Sequence, residues 1–152
     1  MNHHIPTYLA QSVYDIDYNK LYANGKRVIL FDLDNTLAPY DDATPTDKQL
    51  ELNKKLKEIG FKIYILSNNH QKRTKLYTTT FLVDGYLVLA RKPFVYKIKP
   101  FLKKENIEIT NTILIGDQLL TDIKCANKLG LDSILVKSIS RKSEKWYTRI
   151  NR

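Results

Sequence analysis

Five short apolar runs, each followed by a longer lysine-rich amphipathic stretch, constrain the fold of this chain more than any other feature. They span residues 27–33, 61–66, 86–90, 112–115 and 133–136 and are dense in Ile, Val, Leu and Phe. Each has the length of a strand, and near-continuous apolarity suits a strand covered on both faces. Between the first two runs, Thr44-Pro45-Thr46-Asp47 reads as a capping-box-like helix start with Pro at the first helical position. Leu52, Leu56 and Ile59 follow at helical spacing, and Gly60 suits the stop. Residues 121–129, closed by Gly130, read the same way. Weaker helices are expected over 71–80 and 94–105, where Thr78-Thr79-Thr80 and Pro100 interrupt the pattern. Parallel strands need crossover connections, so this alternation predicts an α/β fold: a doubly wound (Rossmannoid) parallel sheet with helices on both faces. The first 26 residues lack the pattern. They are expected to form an N-terminal arm, packed through Tyr8, Leu9, Val13, Tyr14, Ile16 and Tyr22 onto one domain over 27–152.

The 152 residues suit one domain, and 43% hydrophobic with 27% charged residues excludes global disorder. Twenty-five Lys and Arg against sixteen Asp and Glu give a net charge of +9, which fits phosphate, nucleic acid or an anionic membrane as partner. Cys125 is the only cysteine, which excludes an intrachain disulfide framework and a thiolate zinc cluster, and it reads as a packed thiol. The chain has no apolar run of membrane-helix length, and residues 1–6 lack a signal-peptide layout. A cytoplasmic protein, peripheral to a membrane at most, is the expectation.

In doubly wound sheets ligands bind beyond the carboxyl ends of the strands, so chemistry is sought there. The first run ends Asp32-Leu33-Asp34-Asn35-Thr36. If the backbone stays extended, the two carboxylates face the same way and repel, which a divalent cation such as Mg²⁺ relieves. A plain turn with Asp34 and Asn35 as turn formers is the competing reading. The second run ends Ser67-Asn68-Asn69-His70, polar groups that suit either anion binding or a simple helix cap. Lys92 follows the third run and offers a compact positive charge. The fourth ends Gly116-Asp117, a hard oxygen ligand, with Asp122 at a helix start where capping is an equal reading. Gathered at one sheet edge, these groups make a Mg²⁺–phosphate site.

Together they resemble the four motifs of the haloacid dehalogenase (HAD) superfamily, at spacings of 35, 25 and 25 residues from Asp32 through Ser67 and Lys92 to Asp117. The wording of the motifs is similar to the subfamily IIIA phosphatases and above all to the small bacterial YqeG-like proteins. The resemblance implies that Asp32 is the nucleophile that takes the phosphoryl group. Asp34 would protonate the leaving oxygen and then activate water, its backbone carbonyl helping to bind Mg²⁺. Ser67 would hold phosphoryl oxygens, with Thr36 and Asn68 beside the substrate. Lys92 would offset the charge of Asp32 and phosphate. Asp32 and Asp117 would ligate Mg²⁺, with Asp122 behind them. The second Asp favours phosphoryl transfer over dehalogenation.

The gaps between motifs are filled by the core's own elements, so an HAD-like core without a cap domain is expected, open unless a neighbouring subunit covers it. YqeG-like proteins are in turn similar to the mitochondrial phosphatidylglycerophosphatase. That similarity, the open site and the basic, aromatic segment 141–149 imply a lipid head-group phosphate as substrate and contact with an anionic bilayer. The same tail could instead dock on the sheet. A soluble sugar or nucleotide phosphate is the alternative substrate, and a non-catalytic HAD-like binding module the alternative function. No nucleic-acid-binding motif accompanies the charge, so specific nucleic-acid binding is not expected.

Overall fold

A computed structural model of the chain describes residues 4–139. The apolar runs form strands β2 (Val28–Phe31), β3 (Lys62–Leu66), β4 (Gly85–Leu87), β5 (Thr112–Gly116) and β6 (Asp132–Val136). A further strand, β1 (Tyr8–Ala10), precedes them, and the six make one wholly parallel sheet in the order β1-β6-β5-β2-β3-β4. Helices α1 (Tyr18–Ala23), α2 (Asp47–Ile59), α3 (Gln71–Phe81), α4 (Ile98–Lys104) and α5 (Lys124–Leu129) complete the fold. This is the doubly wound arrangement that the alternation predicts.

The period-two alternation of the strands divides the core. Ile29, Phe31, Ile63, Ile65, Ile113 and Ile115 face one side and pack with Leu52 and Leu56 of α2 and Tyr77 and Phe81 of α3. Leu30, Tyr64, Leu66 and Leu114 face the other and pack with Ile98, Leu102, Cys125 and Ala126 of α4 and α5. Central strands β2 and β5 are buried at every position, because each face meets a helical layer. Cys125 is a free buried cysteine, and burial pushes its thiol up to about 12.

Three local expectations change. Helix α2 is capped by Thr46, whose hydroxyl accepts from the Gln49 N–H while the Gln49 side chain accepts from the Thr46 N–H. Pro45 therefore precedes the cap instead of occupying the first helical position. The helix expected from residue 121 begins earlier as a π-helical turn over Leu119–Ile123 and becomes α-helical at Lys124. The N-terminal segment does more than wrap: β1 pairs with β6, Tyr8 opposite Ile134 and Ala10 opposite Val136. Tyr8 and Leu9 stay exposed on this edge strand, while Val13, Tyr18 and Leu21 enter the core. The Tyr18 hydroxyl donates to the Val13 carbonyl at 2.6 Å. Residues 141–149 lie outside the described residues. No helix among those described is long and apolar enough to cross a membrane.

Candidate active site

Strands β2, β3 and β5 run parallel, so their carboxyl ends deliver residues 32, 67 and 117 to one edge of the sheet. There a cleft of about 350 Å³ is lined by Asp32, Asp34, Asn68, Lys92 and Asp122, among others. Asp32 follows β2 directly, and its N–H still donates to Ile115 of β5 at 2.9 Å. The chain then leaves the strand. The Leu33 carbonyl accepts from the N–H groups of Thr36, Leu37 and Ala38, and Asn35 takes a left-handed φ of 64°, which asparagine tolerates better than most residues. Asp32 and Asp34 both line the cleft beside this turn.

Lys92 is the hub of the site. Its Nζ donates to Asp32 Oδ1 at 2.8 Å, Asp122 Oδ1 at 2.7 Å and the Leu66 carbonyl at 2.8 Å, which uses all three protons. Burial alone would lower this ammonium, but Asp122 and Asp32 outweigh it and hold it above the ordinary lysine value. Asn68 fixes the backbone of the same residue: its amide oxygen accepts from the Lys92 N–H at 2.8 Å and its amide nitrogen donates to the Lys92 carbonyl at 3.0 Å. The structure thus gives Asn68 a hold on Lys92, while leaving it at the cleft wall.

Asp32, Asp117 and Asp122 each bring a carboxylate oxygen within 4.8 Å of the others, and the latter two are buried. Burial first, then Asp32 and Asp122, push the Asp117 carboxyl up to about 9. Burial and Asp122 push Asp32 up as well, Lys92 pulls it back, and it rests at about 6. Thr36 is buried beneath, its Oγ 3.0 Å from Asp32 Oδ2 and 3.1 Å from Asp117 Oδ1. One hydroxyl proton serves two carboxylates here, so a proton or a cation must share the cluster. Asp117 Oδ2 is buried without a hydrogen-bond partner among the described residues. An orphaned hard oxygen beside two more carboxylates fits a divalent cation of the Mg²⁺ type. Gly116 makes the approach possible: a Cβ there would collide with the Asp122 side chain.

Asp34 stands apart from this cluster. Its Oδ1 accepts from Arg73 Nε at 3.0 Å and its Oδ2 from Asn69 Nδ2 at 3.0 Å. Ser67 is buried, and its Oγ accepts from the Asn69 N–H at 3.0 Å, which orients the hydroxyl at the end of β3. His70 is the exposed N-terminal flank of α3 and forms no side-chain cap. Sequence reasoning names Asn69 only within Ser67-Asn68-Asn69-His70 and assigns no role to Arg73, Gln118 and Thr121. The last two flank the cleft and join each other at 3.1 Å. Arg73 carries one signal: it lies in the first turn of the helix that starts just after Ser67-Asn68-Asn69.

Comparison with known proteins gives a consistent picture. A family described as HAD-hydrolase-like matches residues 89–147. The chain is 32% identical to the "Probable phosphatase YqeG" of Bacillus subtilis over 97% of its own length and 85% of that protein's. Among solved structures it resembles an uncharacterised protein from Listeria monocytogenes (TM-score 0.61, 20% identity, covering 78% of this chain and 85% of that one). It also resembles the 3-deoxy-D-manno-octulosonate 8-phosphate phosphatase of Moraxella catarrhalis, solved with magnesium and phosphate ions (TM-score 0.53, 15% identity, 79% and 83% covered). At these identities the structural matches establish the shared fold.

Proposed function

Because the chain belongs to the YqeG-like phosphatases of the HAD superfamily, we propose that it hydrolyses a phosphomonoester through Asp32, with Mg²⁺ as cofactor. The observation that carries this reading is the three-carboxylate cluster joined to Lys92, with the Asp117 Oδ2 left unpartnered among the described residues. Asp32 and Asp117 would hold the cation, together with the Asp34 backbone carbonyl, and Asp122 would stand behind them. When bound, Mg²⁺ supplies charge stabilisation to phosphoryl oxygens. Asp32 attacks phosphorus as a carboxylate, and Lys92 keeps it ionised and in place. Asp34 gives a proton to the leaving oxygen and then takes one from water. Ser67 donates to a phosphoryl oxygen. A carboxylate nucleophile splits one displacement into two, and a positioned acid–base contributes about 10²–10⁴ in rate.

The substrate we assign is a lipid head-group phosphate such as phosphatidylglycerophosphate. No cap domain is inserted among the described residues, the chain is strongly basic, and the exposed Tyr40 and Ile139 sit against Asn35 of the cleft, the Tyr40 N–H donating to its side-chain oxygen and the Ile139 N–H to its carbonyl. Polar chemistry with apolar residues on the surrounding loops suits a phosphate presented at a bilayer surface. The test is Mg²⁺-dependent phosphate release from phosphatidylglycerophosphate in mixed micelles, beside soluble esters, with Asp32→Asn as control. Preferred lipid turnover, lost in the variant, supports the assignment. Turnover of soluble esters alone discards the lipid and keeps the Asp32 chemistry, and no release from any ester by folded protein with Mg²⁺ favours a binding module.

A further inference from the structure

The Asp34 carboxylate is clamped at both oxygens by residues of one segment. Asn69, just after β3, holds Oδ2, and Arg73, in the first turn of α3, holds Oδ1. Asn69 is itself fixed, because its side-chain oxygen accepts from the His70 N–H at 2.8 Å and its backbone N–H donates to Ser67 Oγ. The guanidinium of Arg73 is used on three sides. Nε takes Asp34, one terminal nitrogen donates to the Asp42 carbonyl, and the other donates to the Pro39 carbonyl at 3.2 Å. Its carbon lies 5.6 Å from the ring centroid of Tyr77, one turn further along α3, and Tyr77 is buried and held by Gln49 at 2.6 Å. The side chain is only 10% exposed.

An arginine so enclosed, facing a carboxylate that lines a cleft, is not a surface charge. It ties the loop after β2 to the helix after β3, so the place of Asp34 relative to Ser67 is set by α3. We propose that Arg73 is a positioning residue that holds Asp34 where its carboxyl group meets the leaving oxygen. The inference rests on the acid–base role of Asp34 given above. In the first step the P–O bond to the leaving group breaks as the bond from Asp32 to phosphorus forms, and the Asp34 proton passes to the departing oxygen. In the second, Asp34 takes a proton from water as the water oxygen bonds to phosphorus and the Asp32–phosphoryl bond breaks. Each step requires the Asp34 oxygen within hydrogen-bond reach of the oxygen it serves, and a misplacement of about 1 Å costs on the order of 10²-fold.

The leaving group separates positioning from mere support. Proton donation matters for an alkyl phosphate, whose alkoxide leaves poorly, and little for p-nitrophenyl phosphate, whose phenolate needs no proton. The quantity to measure is kcat/KM on both esters, which covers the steps through leaving-group departure. For Arg73→Ala the expected loss is about 10- to 100-fold on the alkyl ester and within about threefold on the aryl ester. In an Asp34→Asn background the same substitution should cost the alkyl ester nothing more. Arg73→Lys should recover part of the loss, since lysine can reach Asp34 but cannot hold both carbonyls as a planar fork does. Equal losses on the two esters, or an undiminished loss without Asp34, would overturn the proposal and leave Arg73 a structural strut. A faster alkyl ester would overturn it too, by making the ion pair a restraint. If Asp34→Asn itself leaves the alkyl-to-aryl ratio unchanged, the acid–base reading of Asp34 falls and the proposal falls with it.

Discussion

Replacing Asp117 by Asn should alter how the cation-free protein responds to pH more than it alters the fold. In the native site the Asp117 carboxyl is raised to about 9 from an ordinary 3.8. The folded protein therefore keeps a proton that the unfolded chain has lost. A carboxyl raised on folding costs stability as pH climbs from the unfolded value towards the folded one, and the slope is at most about 1.4 kcal/mol per pH unit. Between about pH 6.5 and about pH 8.5 that amounts to just under about 3 kcal/mol. Asp32, raised only to about 6, has largely ionised before this window opens. For a chain of this size about 3 kcal/mol corresponds to roughly 6–12 °C in thermal midpoint. The amide introduced by Asp117→Asn resembles the protonated acid in shape, accepts from Thr36 as the acid does, and does not titrate. Thermal unfolding followed by fluorescence, in chelator and across this window, should show the native midpoint falling by up to this amount relative to Asp117→Asn. Saturating Mg²⁺ should flatten the native profile and leave the variant unmoved. Parallel profiles for the two proteins would refute the reasoning, because no raised carboxyl would then be present.

Two further outcomes follow from the geometry around Lys92 and Gly116. Lys92→Met leaves Asp32 and Asp122 buried without their cation, so urea denaturation should show a loss of about 3–5 kcal/mol and phosphate release should vanish; a loss under about 1 kcal/mol would show that the ammonium does not hold the cluster together. Gly116→Ala places a Cβ against the Asp122 side chain and should cost about 1–3 kcal/mol by overpacking. Because Asp122 must then move off Lys92, activity should fall as well, and a variant with native stability and native turnover would show that the close approach has no importance.

The central strands are legible in the sequence because they are buried on both faces, which leaves continuous apolar runs such as Val28-Ile29-Leu30-Phe31. The topology then gathers Asp32, Ser67, Lys92 and Asp117 at one edge, as the crossover rule requires. Strand β1 is not legible. It is three residues long, lies at an edge and leaves Tyr8 and Leu9 exposed, so it has neither run length nor burial to mark it. The π-helical turn at Leu119–Ile123 is equally silent, since its residues suit an ordinary helix. The orientation of Asp34 escapes because it depends on the turn at Leu33–Ala38 and on an arginine 39 residues away in sequence. Spacing reveals which residues can meet. It does not reveal which way a carboxylate turns, or that Asn68 faces the Lys92 backbone.

The most direct measurement of the central claim is to trap the phosphoryl group on the protein. Asp34→Asn should let the first step proceed with a good leaving group and slow the second, so acid quenching after mixing with p-nitrophenyl phosphate and Mg²⁺ should capture an acyl phosphate. Peptide mass spectrometry should then place the mass of one phosphoryl group on Asp32 and none on the same peptide from Asp32→Asn. Native-rate hydrolysis by Asp32→Asn, or a phosphoryl group found only on another residue, would contradict the account.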